Sequence, residues 1–321
     1  MKYLVVFLLP FLFKTTGVAQ LPLFKDGDQI CFIGNSITMD GRYYKYLELF
    51  YTTRQPKSKI TFYNCGISGD NAAGILRRID SDVFALKPTW AVLMIGMNDV
   101  NRSLYQPARH NEAGIKENRE KALEVYRKNV DSIVRLLIRS GSKVVLQTPS
   151  IYDQTSLLAS ENDFGVNDAL GKCADFIKVL SGKYQLPIVN YWDLLNRVNE
   201  HIHKKDLHAT IIGKDRVHPG VDGHFLMAGE FLKTQHAPGY VSKICFDVRK
   251  KSVREALNCR IDDIRYGKKS LVFQSLEESL PFPLLTATVN PASLFGFNNL
   301  FNKELLQLKG LKQGVYGLLI D

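Results

Sequence analysis

From about residue 28 to 235, short apolar runs alternate with longer amphipathic stretches. That alternation constrains the fold more than any other feature of the chain. The apolar runs cover 29–33, 60–65, 90–95, 143–147 and 187–189. The run 90–95 carries no polar residue and reads as a strand covered on both faces. Helix-like segments fall between the runs, at 43–51, parts of 71–86, 117–140 and 166–181, and a last one at 220–233. In the longest, Ala122, Val125, Val130, Ile133, Val134 and Leu137 gather near one face. Strand and helix in alternation predict an α/β fold, with a central parallel five-stranded sheet and helices on both sides. In such sheets the working groups collect beyond the carboxyl ends of the strands.

Composition narrows the class. The chain has 321 residues, 45% apolar and 23% charged, an ordinary soluble balance with enough apolar mass to bury a core without disulfides. Lys2, the apolar run 3–13 and the small residues Gly17, Val18 and Ala19 predict a signal peptide over 1–19, cleaved to leave Gln20 first. The run is too short to span a bilayer comfortably, and no later segment is long and apolar enough. The expected destination is export, to the periplasm or outside a bacterial cell. Loss of Lys2 and Lys14 takes the formal charge from +10 to +8. The basic residues are scattered without interleaved aromatics, which argues against a nucleic-acid partner. Of the five cysteines, Cys31 and Cys65 suit buried thiols, and Cys245 and Cys259 are candidates for a bridge. With no CxxC pair and no His/Cys cluster, neither a metal nor a cofactor is expected.

Beyond about 238 the character changes. Aromatic and β-branched residues occur in short runs at 243–248, 270–273 and 315–320, punctuated by Pro281, Pro283 and Pro291. The reading is a large α/β domain over 20–238 and a small β-rich appendage over 239–321. A strand still in progress at Asp321 is expected of a chain cut short.

The chemistry-bearing residues fall at the strand ends. Ser36 follows the first strand through Gly34 and precedes a helix, so its hydroxyl would face out near a helix N-terminus. Taken alone, Ser36 or Thr38 reads more readily as a helix cap. In Asp215-Arg216-Val217-His218-Pro219-Gly220, an acid three residues before an imidazole can fold back and accept its N–H. Gly69 in ISGD follows the second strand, and Asn98 in GMND follows the third. Their N–H groups, with that of Ser36, are candidate donors to an oxyanion, although each also suits an ordinary turn.

Taken together, GNSIT, ISGD, GMND and DRVH resemble the four blocks of the SGNH hydrolases, also called GDSL esterases and lipases. The resemblance covers roughly 28–235. It implies Ser36 as nucleophile, His218 as general base, Asp215 as its acid, and an oxyanion hole of Ser36, Gly69 and Asn98. It also implies a flavodoxin-like three-layer fold. Asn35 departs from the Asp that usually precedes the family's serine. The expected activity is ester hydrolysis through an acyl-enzyme, with a glycan acetyl ester as first choice. A lipase, lysophospholipase or thioesterase is the alternative, and a glycan-binding protein on a hydrolase scaffold is the alternative of another class.

Other conspicuous residues carry plainer readings. His201, His203 and His208 lie in a polar stretch, and a spacing of two does not put histidines on one helical face. His224 reads as a packing residue. Trp90 and Trp192 read as core, and Arg77, Arg78 and Arg102 as solvated surface.

Overall fold

The computed structural model describes residues 19–284, 293 and 295–320; the expected signal peptide therefore lies outside the described residues except for Ala19. Five strands form one wholly parallel sheet: β1 (Gln29–Gly34), β2 (Thr61–Gly66), β3 (Trp90–Met94), β4 (Lys143–Gln147) and β5 (Ile188–Val189), in the order β2-β1-β3-β4-β5. Every residue of β3 is buried, as its unbroken apolar run requires. β2 lies at an edge and is largely uncovered. The order reverses at β1, between its neighbours β2 and β3, so the loops after these three strands meet at one end.

Helices cover both faces. On one side α2 (Arg42–Arg54), α6 (Tyr191–His203) and α7 (Val221–Thr234) pack over Phe32, Val92 and Val145. On the other, α3 (Ala72–Asp82), α4 (Ile115–Arg139) and α5 (Val166–Tyr184) pack over Ile33, Leu93 and Leu146. These strand residues alternate between the two cores because neighbouring side chains on a strand point to opposite faces. This is the α/β architecture expected from the sequence. In α4 the buried face is Leu123, Tyr126, Val130, Ile133, Val134 and Leu137; Val125, expected there, is half exposed. Helix α6 is not among the helix-like segments of the sequence, since it starts only two residues after the short strand β5 and its end is a polar run.

A short helix, α1 (Ser36–Asp40), sits directly on the ends of β1 and β2. A Cβ at Gly34 would collide with Thr38 and the Met94 carbonyl, and one at Gly66 with the backbone of Thr38 and Met39. Both glycines thus permit the close approach that fixes where α1 begins.

The C-terminal region is β-rich, as expected. β6 (Tyr240–Asp247) pairs antiparallel with β7 (Ser252–Leu257) and parallel with β10 (Lys303–Lys309). β8 (Cys259–Tyr266) and β9 (Leu271–Glu277) make a separate antiparallel pair. Residues 315–320, expected as a strand, have no regular structure, and Val315 and Leu319 are fully in water. Among the described residues no strand pairs with them, so their apolar composition does not produce pairing. Cys245 and Cys259 are buried free thiols, not a bridge; the Cys245 thiol faces the Gln307 side chain at 3.4 Å. The appendage is nonetheless joined to the α/β core. A helix α8 (Phe297–Phe301) places Phe297 4.9 Å from Phe225 of α7, and the buried Arg54 of α2 donates to the carbonyls of Leu280 and Phe301.

Candidate active site

Ser36 is the first residue of α1, and the residue that caps this helix is Asn35. Its backbone is extended and its side-chain oxygen accepts the Ile37 N–H at 3.1 Å. Capping therefore falls to neither Ser36 nor Thr38, and Thr38 is buried against the Tyr43 hydroxyl at 3.3 Å. The side-chain amide of Asn35 thus caps α1. The Ser36 hydroxyl is left free, and it lies 2.7 Å from Nε2 of His218.

His218 stands in the loop between α6 and α7. The loop is closed by pairing of Ile212 with Pro219 and by the Gly213 N–H donating to the His218 carbonyl at 2.6 Å. Asp215 folds back within it. Its Oδ1 accepts the backbone N–H groups of Val217 (3.0 Å) and His218 (3.1 Å), and its Oδ2 lies 2.5 Å from His218 Nδ1. One carboxylate oxygen shapes the loop and the other orients the ring. With the ring proton on Nδ1 facing Asp215, Nε2 is left as an acceptor for the Ser36 hydroxyl. Partial burial acts to raise the Asp215 carboxyl. The hydrogen bonds from the His218 ring and from both N–H groups outweigh it, and the group sits below the usual carboxylate range. The side chains of His218 and Asp215 are 45% and 51% exposed, so a bulky substrate can reach them.

Two further loops meet here. In the turn 67–70, the Asp70 N–H donates to the Ile67 carbonyl at 3.2 Å and Gly69 has φ +74°. A Cβ at Gly69 would touch nothing within 4 Å, so the left-handed backbone rather than lack of space calls for glycine. Beyond β3, the Asn98 side-chain amide donates to the Asp70 carbonyl at 2.8 Å, which leaves its second N–H unassigned. Among the described residues, the backbone N–H groups of Ser36 and Gly69 have no protein acceptor.

The structure also reveals supporting residues around the site. Asp99 Oδ1 accepts the Ala72 N–H at 2.8 Å, at the start of α3. Burial pushes the Asp99 carboxyl up to about 7 despite that bond. Asp70 Oδ2 accepts Arg78 Nε at 2.7 Å, and Arg78 also donates to the carbonyls of Cys65 (2.9 Å) and Gly34 (3.3 Å). Arg78 is thus a largely buried strut between the ends of β1 and β2, not a solvated surface residue. An acid directly after each of Gly69 and Asn98, with an arginine eight positions after the first acid, was the available signal.

The remaining candidates lie elsewhere. His203 is bonded to Ser156 and Thr155, and His208 faces the Leu157 carbonyl. Among the described residues no group of three or more His, Cys, Asp or Glu could hold a metal ion. Trp90 is core, and Trp192 packs partly buried between the two cores. No helix of the described residues is long and apolar enough to cross a membrane.

The sequence pattern of the GDSL-like Lipase/Acylhydrolase family matches residues 32–226. The chain belongs to this family. It is similar to an acetylxylan esterase of Geobacillus stearothermophilus, with 27% identity over 222 residues that cover 64% of this chain and 93% of the relative. Among solved structures, a gut microbial diltiazem-metabolizing enzyme superposes with a TM-score of 0.82 at 30% identity, over 92% of this chain and 69% of that one. The crystal structure of the Geobacillus stearothermophilus esterase superposes with a TM-score of 0.53 at 24% identity, over 67% of this chain and 96% of its own, and speaks to the fold alone. This GDSL-like hydrolase is therefore an ester-hydrolysing enzyme, as the four blocks implied.

Proposed function

We propose that the chain is a serine esterase that removes small acyl groups, acetyl first among them, from a carbohydrate. Ser36 is the nucleophile, His218 the general base and Asp215 its acid. The observation that carries this reading is the unbroken relay from the Ser36 hydroxyl through the His218 ring to Asp215, at 2.7 and 2.5 Å. A serine hydroxyl is a weak nucleophile until a base takes its proton, and the base needs its tautomer fixed.

His218 Nε2 takes the Ser36 proton as the oxygen adds to the ester carbonyl. The resulting imidazolium is stabilised by Asp215. The N–H groups of Ser36 and Gly69 and the Asn98 amide receive the negative charge that develops on the carbonyl oxygen. His218 returns the proton to the leaving alcohol, and water repeats the sequence on the acyl-enzyme. Solved structures of the Geobacillus stearothermophilus relative include catalytic mutants in which a serine, an aspartate and a histidine three places after that aspartate are replaced by alanine. Asp215 and His218 have the same spacing. The acetylated-carbohydrate preference is supported by that relative's name and by the openness of the pair to bulky alcohols. We further take 20–238 as the hydrolase unit, 239–321 as an appendage docked on it, and 1–19 as an export signal directing the enzyme out of a bacterial cytoplasm.

The test is hydrolysis of p-nitrophenyl acetate, butyrate and decanoate, and of acetylated xylooligosaccharides, beside Ser36→Ala. Acetate release that vanishes in the variant supports the reading. A preference for decanoate moves the substrate to lipids, and turnover unchanged in Ser36→Ala overturns the serine mechanism.

A further inference from the structure

Between Asp215 and His218 stands a residue that the acyl-transfer steps do not use. Arg216 is 3% exposed and has φ +66°, a left-handed backbone in which a Cβ crowds the carbonyl. What holds it there is its own side chain. Nη1 donates to the carbonyls of Asp153 (2.9 Å) and Ser156 (3.0 Å), Nη2 to those of Leu158 and Ser160 (both 3.1 Å), and Nε to Ser160 (3.3 Å). The Arg216 carbonyl accepts the Asp153 N–H at 2.9 Å in return. The segment 153–160 has no helix or strand, so its carbonyls have no ladder partners. A planar guanidinium with five donors can satisfy four of them at once, which an ammonium cannot.

The caged segment is itself fastened to the His218 loop. Asp153 accepts the backbone N–H groups of Thr155 (3.1 Å) and Ser156 (3.0 Å) and the hydroxyls of Ser156 and Thr210. The Thr210 hydroxyl accepts the Ile212 N–H at 3.0 Å, and Ile212 pairs with Pro219, next to His218. Ser156 also lies 2.8 Å from His203 Nε2, but its proton goes to Asp153, so this trio is a fastening and not a second nucleophile.

We propose that Arg216 is a positioning residue for acyl transfer: its carbonyl cage fixes the Asp215–His218 arm so that the ring stands within hydrogen-bond reach of Ser36. The proposal rests on the reading of Ser36 and His218 given above. A base displaced by about 1 Å loses on the order of a hundredfold in rate without losing substrate affinity.

The experiment uses the full chain with Arg216→Gly, Arg216→Lys and Ser36→Ala. It reads kcat and KM on p-nitrophenyl acetate, and the downfield proton NMR signal of the hydrogen bond between His218 and Asp215. Arg216→Gly accepts the left-handed backbone but removes the cage. Expected are a kcat lower by about a hundredfold, a KM changed by less than about threefold, a weakened downfield signal, and partial recovery of kcat with millimolar guanidinium or in Arg216→Lys. If Arg216 only fills space, Arg216→Gly loses melting temperature while its folded fraction keeps the parent kcat and the downfield signal; that result overturns the proposal. Should Arg216→Gly not fold, Arg216→Lys decides by the same kcat-to-KM split. Should the parent turnover prove independent of Ser36, the serine reading fails on its own, and the downfield signal still decides: lost in Arg216→Gly it supports the cage, kept it overturns it.

Discussion

The hydroxyl of Ser36 lies 2.7 Å from Nε2 of His218 although 182 positions separate them in the chain. Two unrelated local devices produce that contact. On one side, β1 ends at Gly34, Asn35 takes the cap, and α1 starts where the missing Cβ groups of Gly34 and Gly66 let it sit. On the other, Asp215 shapes its own loop with one oxygen and aims the ring with the other. The sheet order, with β1 between β2 and β3, brings the Gly69 and Asn98 loops to the same end.

Asp215→Asn is expected to lower kcat by up to roughly 10⁴-fold, because an amide cannot hold the ring in the tautomer that leaves Nε2 as acceptor. KM should change little. Steady-state kinetics on p-nitrophenyl acetate, beside circular dichroism to verify the fold, measure this. A kcat within tenfold of the parent would remove Asp215 from the relay.

Asn98→Ala tests the oxyanion donors. The expected loss is about 2.7–4 kcal/mol of transition-state stabilisation, or 10²–10³ in kcat. Gly69→Ala gives a complementary result. It meets no clash, so its effect comes through the left-handed backbone: about 1–2 kcal/mol of stability and a smaller fall in kcat. Urea melts with parallel rate assays separate the two. An Asn98→Ala variant with unchanged kcat would mean that its amide serves only the Asp70 carbonyl.

Much of this was legible in the sequence because it rests on local signals. Strand runs bounded by glycine, and an acid three places before a histidine, are patterns that short-range geometry turns directly into structure. What was not legible depends on tertiary packing. Arg78 reads as a surface charge on an amphipathic helix until β1 and β2 are placed so that their terminal carbonyls surround it. Helix α6 was hidden because its polar end reads as loop. The run 315–320 has strand composition but, among the described residues, pairs with no strand. The arginine between Asp215 and His218 carries no sequence mark at all, since its partners are backbone carbonyls.

Phe297→Ala probes how firmly the appendage is joined to the hydrolase. Phe297 is buried, 4.9 Å from both Phe225 and Phe282. Truncating such a ring typically costs about 3–5 kcal/mol. The variant should melt earlier in chemical denaturation, while kcat at low temperature stays at the parent value, because no relay residue touches this cluster. Removing 239–321 altogether would uncover the same apolar face of α7, and the shortened chain is expected to aggregate.

The buried ring of His224 makes stability depend on pH. It is wholly inaccessible, stacks on Tyr43 at 6.1 Å, and has both ring nitrogens without a hydrogen-bond partner among the described residues. Burial is the main cause that pushes it down to about 4. Asp40, 3.5 Å from Nε2, pulls the other way, and the charges of Arg42 and His218 add to the depression. A base whose folded value is lowered binds fewer protons folded than unfolded between pH 6.5 and about 4. Stability therefore rises with pH across that interval and is lost as the pH falls through it. The contribution is on the order of 2–3 kcal/mol. In His224→Phe, which keeps a ring against Tyr43, the fall in unfolding free energy from urea melts between pH 7 and 4.5 should be smaller than in the parent by about that amount. Equal falls in the two proteins would show that the ring titrates alike folded and unfolded, and a larger fall in His224→Phe would show it protonated and paired with Asp40 inside the fold, reversing the sign of its contribution.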